Sequence, residues 1–243
     1  MILSKTDKLV ASTLALLVLY SGALAAAEVK GTVSVDYQGL FRPGETAAAH
    51  PVSVVLVPAT GQRARLRATG HRTIEIAGNR MQPAFLTVQQ GDVVEFVNRD
   101  DVYHELFTLS SGQPVKIRLG KAGDSSMDRT TLKLEQEGTI HFFCRIHSKS
   151  YARIDVVNSP YIQMVHPGEH FSFKGLRPGR WRLRLAAPGA ETEWLDVAAV
   201  TSPPPLQLTL VSRVGGVGHS AVSSNGDDVD QLYRPLPEHG GVQ

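Results

Sequence analysis

Residues 138–147, Gly-Thr-Ile-His-Phe-Phe-Cys-Arg-Ile-His, decide the fold prediction because they join an alternating strand to two metal-binding side chains. Ile140, Phe142 and Cys144 fall on one face of such a strand, so the thiol ends an apolar row that faces a core. His147 follows three residues later, after the chain has turned. A soft thiolate and an imidazole supplied by one tight loop are ligands that suit copper. The stretch therefore predicts a β-domain with a metal site at one strand end.

A second histidine has to come from elsewhere in the fold, and His104 is the candidate. It lies in Phe96–Leu106, just past the end of a predicted strand. Together, His104, Cys144 and His147 would form the trigonal His₂Cys set of blue-copper electron-transfer centres. The alternatives are an inert buried cysteine at 144 and surface histidines at 104 and 147. We predict one mononuclear copper site and no catalytic residue.

The N-terminus indicates export, and export gives meaning to the single cysteine. Lys5 and Lys8 precede an apolar run at 9–20 and small residues at 23–27, so residues 1–27 are predicted to be a signal peptide. An uncleaved N-terminal anchor is the alternative. A chain with one cysteine has no internal disulfide, and a lone thiol in an oxidising compartment needs burial, another chain or a metal. We expect a periplasmic or otherwise exported protein with no membrane span in the mature chain.

The rest of the chain predicts an all-β protein, because short alternating apolar runs recur between Gly and Pro turns without a helical period. A short helix between Gly120 and Met127 is the one exception considered. Two early strands are too few to bury a core, so we expect them to complete a sandwich with the later strands, around an inserted middle domain. The predicted units are an N-terminal β-segment at 28–70, a middle domain at 71–157, a second β-sandwich at 158–212 and a disordered tail at 213–243.

Two motifs carry a resemblance to a known family. Met81-x-Pro83-x-x-Leu86-x-Val88, with Gly91-Asp92 and Asn98 beyond it, resembles the opening of plastocyanin-like cupredoxins, and Gly138–His147 is similar to their ligand loop. More narrowly, the arrangement is similar to plastocyanin-like proteins labelled methylamine-utilisation proteins. The resemblance implies a Greek-key cupredoxin sandwich and a second, split sandwich of the carboxypeptidase-regulatory-like or prealbumin-like type. The motif Leu176-x-Pro178-Gly179-x-Trp181 is similar to that second type.

Ser150 departs from this resemblance. The relatives carry a weak axial methionine three residues after the second loop histidine, where this chain has Ser150. A serine hydroxyl is too short to replace a thioether directly, so Ser150 is a doubtful ligand. Met81 is another methionine that could approach, although it occupies a position usually filled by an aromatic core residue. We expect a three-ligand centre, either trigonal or completed by water, since axial identity tunes the potential of such sites.

Other functions are less compatible with the sequence. A net charge of +2 with no basic run argues against nucleic-acid binding. The chain has no His-x-His pair of the kind that multicopper enzymes use, and a nucleophilic Cys144 would need more exposure than a core-facing row gives it. We predict a non-enzymatic electron carrier for an unidentified redox partner, with Arg145 and Lys149 favouring an acidic docking face. Copper sequestration or delivery, and a structural protein with a vestigial site, remain alternatives.

Smaller predictions concern other side chains near the site and beyond it. Glu105 stands where many cupredoxins have a small polar residue, and its carboxylate could pair with Arg145 or Lys149. His141 is expected to point off the outer face of its strand. His166 and His170 flank Pro167-Gly168 and are expected to be solvent-exposed at a hairpin tip rather than to form a second metal site.

Overall fold

A computed structural model describes residues 26–37, 50–59, 64, 66–108, 114–188 and 190–212. The predicted disordered tail, and the predicted signal peptide apart from its last two residues, lie outside these ranges. Over the described residues the protein is all-β, as predicted. Among them, no helix has the length and apolar character needed to cross a membrane.

Seventeen strands make up the described chain. In chain order they are β1 (Ala27–Tyr37), β2 (Val52–Pro58), β3 (His71–Ala77), β4 (Arg80–Gln82), β5 (Phe85–Gln89), β6 (Val93–Asn98), β7 (His104–Thr108), β8 (Lys116–Leu119), β9 (Arg129–Lys133), β10 (Gly138–Cys144), β11 (Tyr151–Val157), β12 (Tyr161–Val165), β13 (His170–Leu176), β14 (Gly179–Ala187), β15 (Ala190–Glu191), β16 (Leu195–Ala199) and β17 (Leu206–Ser212).

The middle sandwich, predicted from the sequence as a β-domain, is built from two facing sheets. One sheet has the order β4-β3-β6-β9 and the other β5-β11-β10-β7-β8. Alternation along β10 sends Ile140, Phe142 and Cys144 into the core between the sheets, as the sequence predicts. There the rings of Phe96 and Phe142 lie 4.9 Å apart between centroids. The thiol of Cys144 therefore sits where this core meets the end of β10.

The outer sandwich takes strands from both ends of the chain. β1 pairs antiparallel with β13 and parallel with β17, while β2 pairs with β12 and β14. Apolar side chains of these strands form one core that includes Phe171 and Trp181. Gly31 permits the close approach of β1 and β17, because a Cβ there would overlap the carbonyl oxygen of Leu206. The middle sandwich is thus inserted between β2 and β12.

Three local predictions were wrong or incomplete. Residues 120–127 form turns and not a short helix: Gly123 has a φ of +87°, which an α-helix does not accommodate. The short strand β4 was missed because three residues are too few for a periodic signal. His104 follows the end of β6, as predicted, but it also begins a strand of its own, β7, which the sequence did not indicate.

Candidate metal centre

Three side chains from two parts of the middle sandwich bring their donor atoms together. His104 Nδ1 lies 3.6 Å from Cys144 Sγ, His147 Nδ1 lies 3.8 Å from the same sulfur, and the two nitrogens are 3.2 Å apart. Their ligand atoms all fall within 4.8 Å of one another. The structure therefore brings together the three residues predicted from the sequence; that they bind a metal stays a prediction.

The strand pairing of β7 with β10 explains this convergence. Leu106 pairs with Cys144, so His104 starts its strand beside the end of the strand that carries the thiol. The amide of Arg145 donates to the carbonyl of Glu105 at 2.9 Å, which extends the contact past the cysteine. His147 then returns to the site on the loop between β10 and β11. Two strand ends and one short loop thus fix all three side chains.

A carboxylate outside the donor set orients His104. Asp100 Oδ2 lies 3.1 Å from His104 Nε2, on the ring nitrogen that faces away from Cys144. A proton on Nε2 donates to this carboxylate and leaves the Nδ1 lone pair directed at the site, as in the carboxylate–histidine pairs of many metal centres. Burial raises the pKa of Asp100, but the amides of Asn79 and Gly78 and the His104 ring outweigh it and hold that pKa below its usual value.

The β3–β4 turn holds Asp100 in this position. Gly78 and Asn79 both have φ near +59°, the conformation of a two-residue hairpin turn that Gly and Asn favour. Their amides donate to the two carboxylate oxygens of Asp100 at 2.7 and 2.9 Å. Sequence reasoning missed this contact, although Gly-Asn between two apolar runs is a hairpin signal that could have placed the turn.

Asn98 fastens the loop that leads to His104. Its amide nitrogen donates to the carbonyls of Val102 and Gly120, both at 2.7 Å, and its side-chain oxygen accepts from the amide of Asp100 at 2.9 Å. The side chain is almost fully buried. Because three bonds hold the loop from inside, the approach of His104 is set by the fold before any metal binds.

Cys144 is poised as a thiolate. Burial raises its pKa, but hydrogen bonds from His104 and from the amides of Ile146, His147 and Glu105 outweigh burial and bring the pKa to about 6. The same thiolate acts on His104: burial lowers the histidine pKa, while Cys144 and Asp100 raise it above the ordinary value. A buried cysteine aimed at amides and imidazoles differs from an inert apolar one.

The spacing of the donor atoms fits a trigonal metal ion. With bonds of about 2.0 Å to imidazole nitrogen and about 2.3 Å to sulfur, angles of about 120° put nitrogen about 3.7 Å from sulfur and two nitrogens about 3.5 Å apart. The observed separations of 3.6, 3.8 and 3.2 Å lie close to these values. A set of one thiolate and two imidazoles selects a soft or borderline ion such as copper.

Ser150 lies beside this donor set. It is 1% exposed, and its hydroxyl oxygen has no hydrogen-bond partner among the described residues. Its amide donates to the carbonyl of His147 at 3.0 Å, and its carbonyl accepts from the amide of Cys144 at 3.1 Å. Met81, the other residue considered for the fourth position, is buried in the core that also contains Cys144. Neither residue is established as a ligand.

Glu105 pairs with three cations on the surface of β7 and β8. Its carboxylate lies 3.2 Å from Lys116 Nζ, 3.3 Å from Arg118 Nε and 3.2 Å from Arg145 Nε. Arg145 was one of the two partners considered from the sequence, whereas Lys116 and Arg118 became neighbours through the β7–β8 pairing. Arg145 also lies over the Phe107 ring at 5.7 Å, so its side chain folds back onto the sheet.

Exposed apolar side chains lie next to the two site histidines in the chain. Tyr103 and Ile146 are 57% and 56% exposed, and Val102 is also exposed. Tyr103 precedes His104 and Ile146 precedes His147 in the chain. Arg145 pairs with Glu105 and lies over Phe107, yet its side chain is 55% exposed. Charged and apolar side chains are therefore both exposed beside the site, and the acidic docking face stays a prediction.

The remaining predicted histidines serve other contacts. His141 points off the outer face of β10, as predicted, where its Nδ1 lies 2.8 Å from the Tyr151 hydroxyl. It is half-buried rather than free at the surface, and burial lowers its pKa. His166 and His170 are exposed at the β12–β13 turn, and His170 Nδ1 contacts the Thr32 hydroxyl at 2.9 Å.

Known proteins resemble this chain only in part. The chain has no match among protein-family models or curated protein sequences. Among solved structures, a methionine-to-alanine mutant of amicyanin in its Cu(I) form is 18% identical over 43% of this chain and 98% of its own, with a TM-score of 0.32. A purple cupredoxin from Nitrosopumilus maritimus is 20% identical over 35% of this chain and 99% of its own, with a TM-score of 0.30.

The copper-containing nitrite reductase from Thermus scotoductus SA-01 is a third similar structure. It is 23% identical over 51% of this chain, with a TM-score of 0.32, but the match spans only 28% of the reductase.

Proposed function

We propose that this protein is an exported copper protein whose middle sandwich transfers single electrons between partner proteins. His104, Cys144 and His147 would hold one copper ion, which when bound supplies a Cu(II)/Cu(I) couple. The observation that carries the proposal is the convergence of one thiolate and two imidazole nitrogens at distances that fit a trigonal ion.

The preformed donor set supports electron transfer over a catalytic role. Asn98 holds the His104 loop, and Asp100 fixes the ring of His104. A site held this firmly changes little between two oxidation states, so reorganisation on electron transfer is small. Cys144 links the metal position directly to the core strand β10, and His147 reaches the partly exposed edge of the site.

The exposed apolar side chains support docking of a redox partner. Val102, Tyr103 and Ile146, which neighbour the two site histidines in the chain, expose apolar side chains, and Arg145 beside Ile146 belongs to the cations that pair with Glu105. Such a surface fits a transient partner with an apolar centre and acidic margins. The outer sandwich, which we assign to the carboxypeptidase-regulatory-like type, would present the copper domain within the cell envelope.

The test is to load the purified mature protein with Cu(II) and record its visible and EPR spectra beside Cys144→Ser. We expect an intense thiolate-to-copper charge-transfer band that disappears in Cys144→Ser and persists in Ser148→Ala, a neighbouring exposed position. Reversible voltammetry of the loaded protein would then support a carrier. A colourless protein with weak copper affinity would end the proposal.

Copper sequestration or delivery is the second candidate, and Ser150 is the observation that favours it. Where the relatives have an axial thioether, this chain has a hydroxyl, so the site lacks one soft ligand. A store would bind Cu(I) tightly and show no reversible Cu(II)/Cu(I) response. Competition with a Cu(I) chelator, combined with voltammetry, separates the two functions.

A further inference from the structure

Ser150 is held directly across from Cys144 at the edge of the β10–β11 ladder. In the register of these strands Phe142 faces Ala152 and Phe143 faces Tyr151, so the next pair is Cys144 and Ser150. The hydrogen bond from the Cys144 amide to the Ser150 carbonyl continues the ladder to this pair. Directly opposite residues of an antiparallel pair share a face and have Cβ atoms about 4.5–5.5 Å apart. The two side chains therefore point to the same side of the sheet.

That side is the one on which the donor atoms converge. Ala152, Ile154 and Val156 follow Ser150 at every second position and face the same core as Cys144. The Ser150 hydroxyl is consequently directed inward, beside the thiol and away from solvent.

The inward hydroxyl lacks a partner within the described structure. A buried hydroxyl without a hydrogen bond costs about 1–3 kcal/mol, so native proteins normally satisfy such a group with protein or ordered water. The core side chains that share its face, Ala152 and Ile154, are apolar and offer no acceptor or donor. A small polar molecule at the site would satisfy the hydroxyl and would also lie next to the three donor atoms.

We propose that Ser150 makes the fourth position of the metal centre a binding site for a small exchangeable ligand, which its hydroxyl holds by a hydrogen bond. Water occupies this position by default, and small anions with nitrogen or oxygen donors replace it. The inference rests on the proposed copper function and deepens it, because a thioether at residue 150 would fill the same space and exclude such ligands.

The experiment is an azide titration of the Cu(II)-loaded mature protein, followed by visible absorption and EPR. We expect saturable changes in both spectra while the thiolate band persists. Ser150→Met should weaken azide binding by more than about tenfold, because its side chain fills the position. Ser150→Ala should weaken binding about two- to tenfold through loss of one hydrogen bond. Ser148→Ala, at an exposed serine of the same loop, should bind azide as the unsubstituted protein does.

Each contrary outcome has a distinct meaning. If saturating azide changes neither the visible nor the EPR spectrum, this inference is overturned and the copper site stands. If azide instead removes the thiolate band and releases copper, this inference is likewise overturned. If Ser150→Met binds azide as tightly as the unsubstituted protein, the fourth position is not the azide site. If Ser150→Ala does so, the hydroxyl does not hold the ligand. Absence of any thiolate band in the unsubstituted protein overturns the proposed function together with this inference. Ser150→Ala keeps the test valid if the larger methionine prevents folding.

Discussion

The two sandwiches have similar apolar cores but use their buried polar groups differently. In the outer sandwich, the buried Ser159 hydroxyl donates to the Leu56 carbonyl at 2.6 Å and accepts from the amide of Tyr161 at 3.1 Å, so its bonds serve the strands themselves. In the middle sandwich, Asn98 directs its bonds to the loop before His104. These two buried side chains thus support different features: Ser159 supports strand pairing in the outer sandwich, and Asn98 supports the loop that leads to His104.

The largest expected effect comes from truncating each core in turn. Phe171→Ala should lower the free energy of unfolding of the outer sandwich by about 3–5 kcal/mol and leave the copper spectrum unchanged. Phe142→Ala should cost about as much in the middle sandwich and disturb the spectrum, since Phe142 lies two residues before Cys144 on the same face. Denaturant unfolding with absorption of the copper-loaded protein measures both. Loss of the spectrum in Phe171→Ala would mean that the sandwiches fold as one unit.

Copper binding should stabilise the two sandwiches unequally. At a free copper concentration about 100 times the dissociation constant, the middle sandwich gains about 2.7 kcal/mol. Hydrogen exchange should therefore slow in β6, β7 and β10, while amides in β14 keep their rates. Cys144→Ser is the control and should show no change on addition of copper. Equal protection in β14 would contradict the distinction between the two regions.

Removing the negative charge of Asp100, which orients His104, should have a smaller effect and should change only the copper affinity and the reduction potential. Asp100→Asn is expected to weaken copper affinity about 10- to 100-fold and to raise the reduction potential, because the carboxylate stabilises Cu(II) more than Cu(I). Asp101→Asn is the matched control, since Asp101 is exposed and pairs with Lys121 instead. Chelator competition and voltammetry measure the two quantities. Identical potentials in the two variants would show that Asp100 only shapes the loop.

The smallest effect is expected where the two sandwiches meet. Arg153 of the middle sandwich lies 3.3 Å from Glu191 of the outer one, but Glu191 is largely exposed. Glu191→Gln should therefore change the free energy of unfolding by less than about 1 kcal/mol, while Arg153 keeps its buried partner Asp155. Denaturant unfolding midpoints of both sandwiches, compared between Glu191→Gln and the unsubstituted protein, measure this change. A larger loss would contradict this expectation, with Arg184 of the outer sandwich, 3.8 Å from Glu191, as the second partner that loses an ion pair.

Much of the fold was predictable because strand alternation is local. The alternation of Ile140, Phe142 and Cys144 with other residues predicts that their side chains face the core, and in the structure they do. The sequence predicted that the strands at the two ends of the chain share a sandwich, but not that β1 pairs with β17. That pairing includes the close contact of Gly31 with Leu206, residues far apart in the sequence. The short strand β4 and the turns at 120–127 depend on single residues with positive φ, which periodicity does not detect.

The candidate site was predictable in its donor atoms but not in its surroundings. Thiolate and imidazole have a recognisable chemistry, so Cys144 and His147 stand out by spacing alone. The contact of Asp100 with His104 depends on a hairpin turn from another strand pair. The pairing of Arg145 with Glu105 and its position over Phe107 depend on the direction of its side chain, which the sequence does not show.

The insertion of the middle sandwich also sets an order of folding. β1 pairs with β17, where Gly31 lies opposite Leu206. Paired residues of these two strands, such as Ser34 and Thr209, are 175 residues apart in the sequence. Strands of the middle sandwich find their partners within a much shorter stretch of chain, and contacts between near neighbours in sequence form sooner. We therefore expect the domain that carries the donor set to form first and the pairing of β1 with β17 to follow it, which refolding kinetics of the two sandwiches would measure.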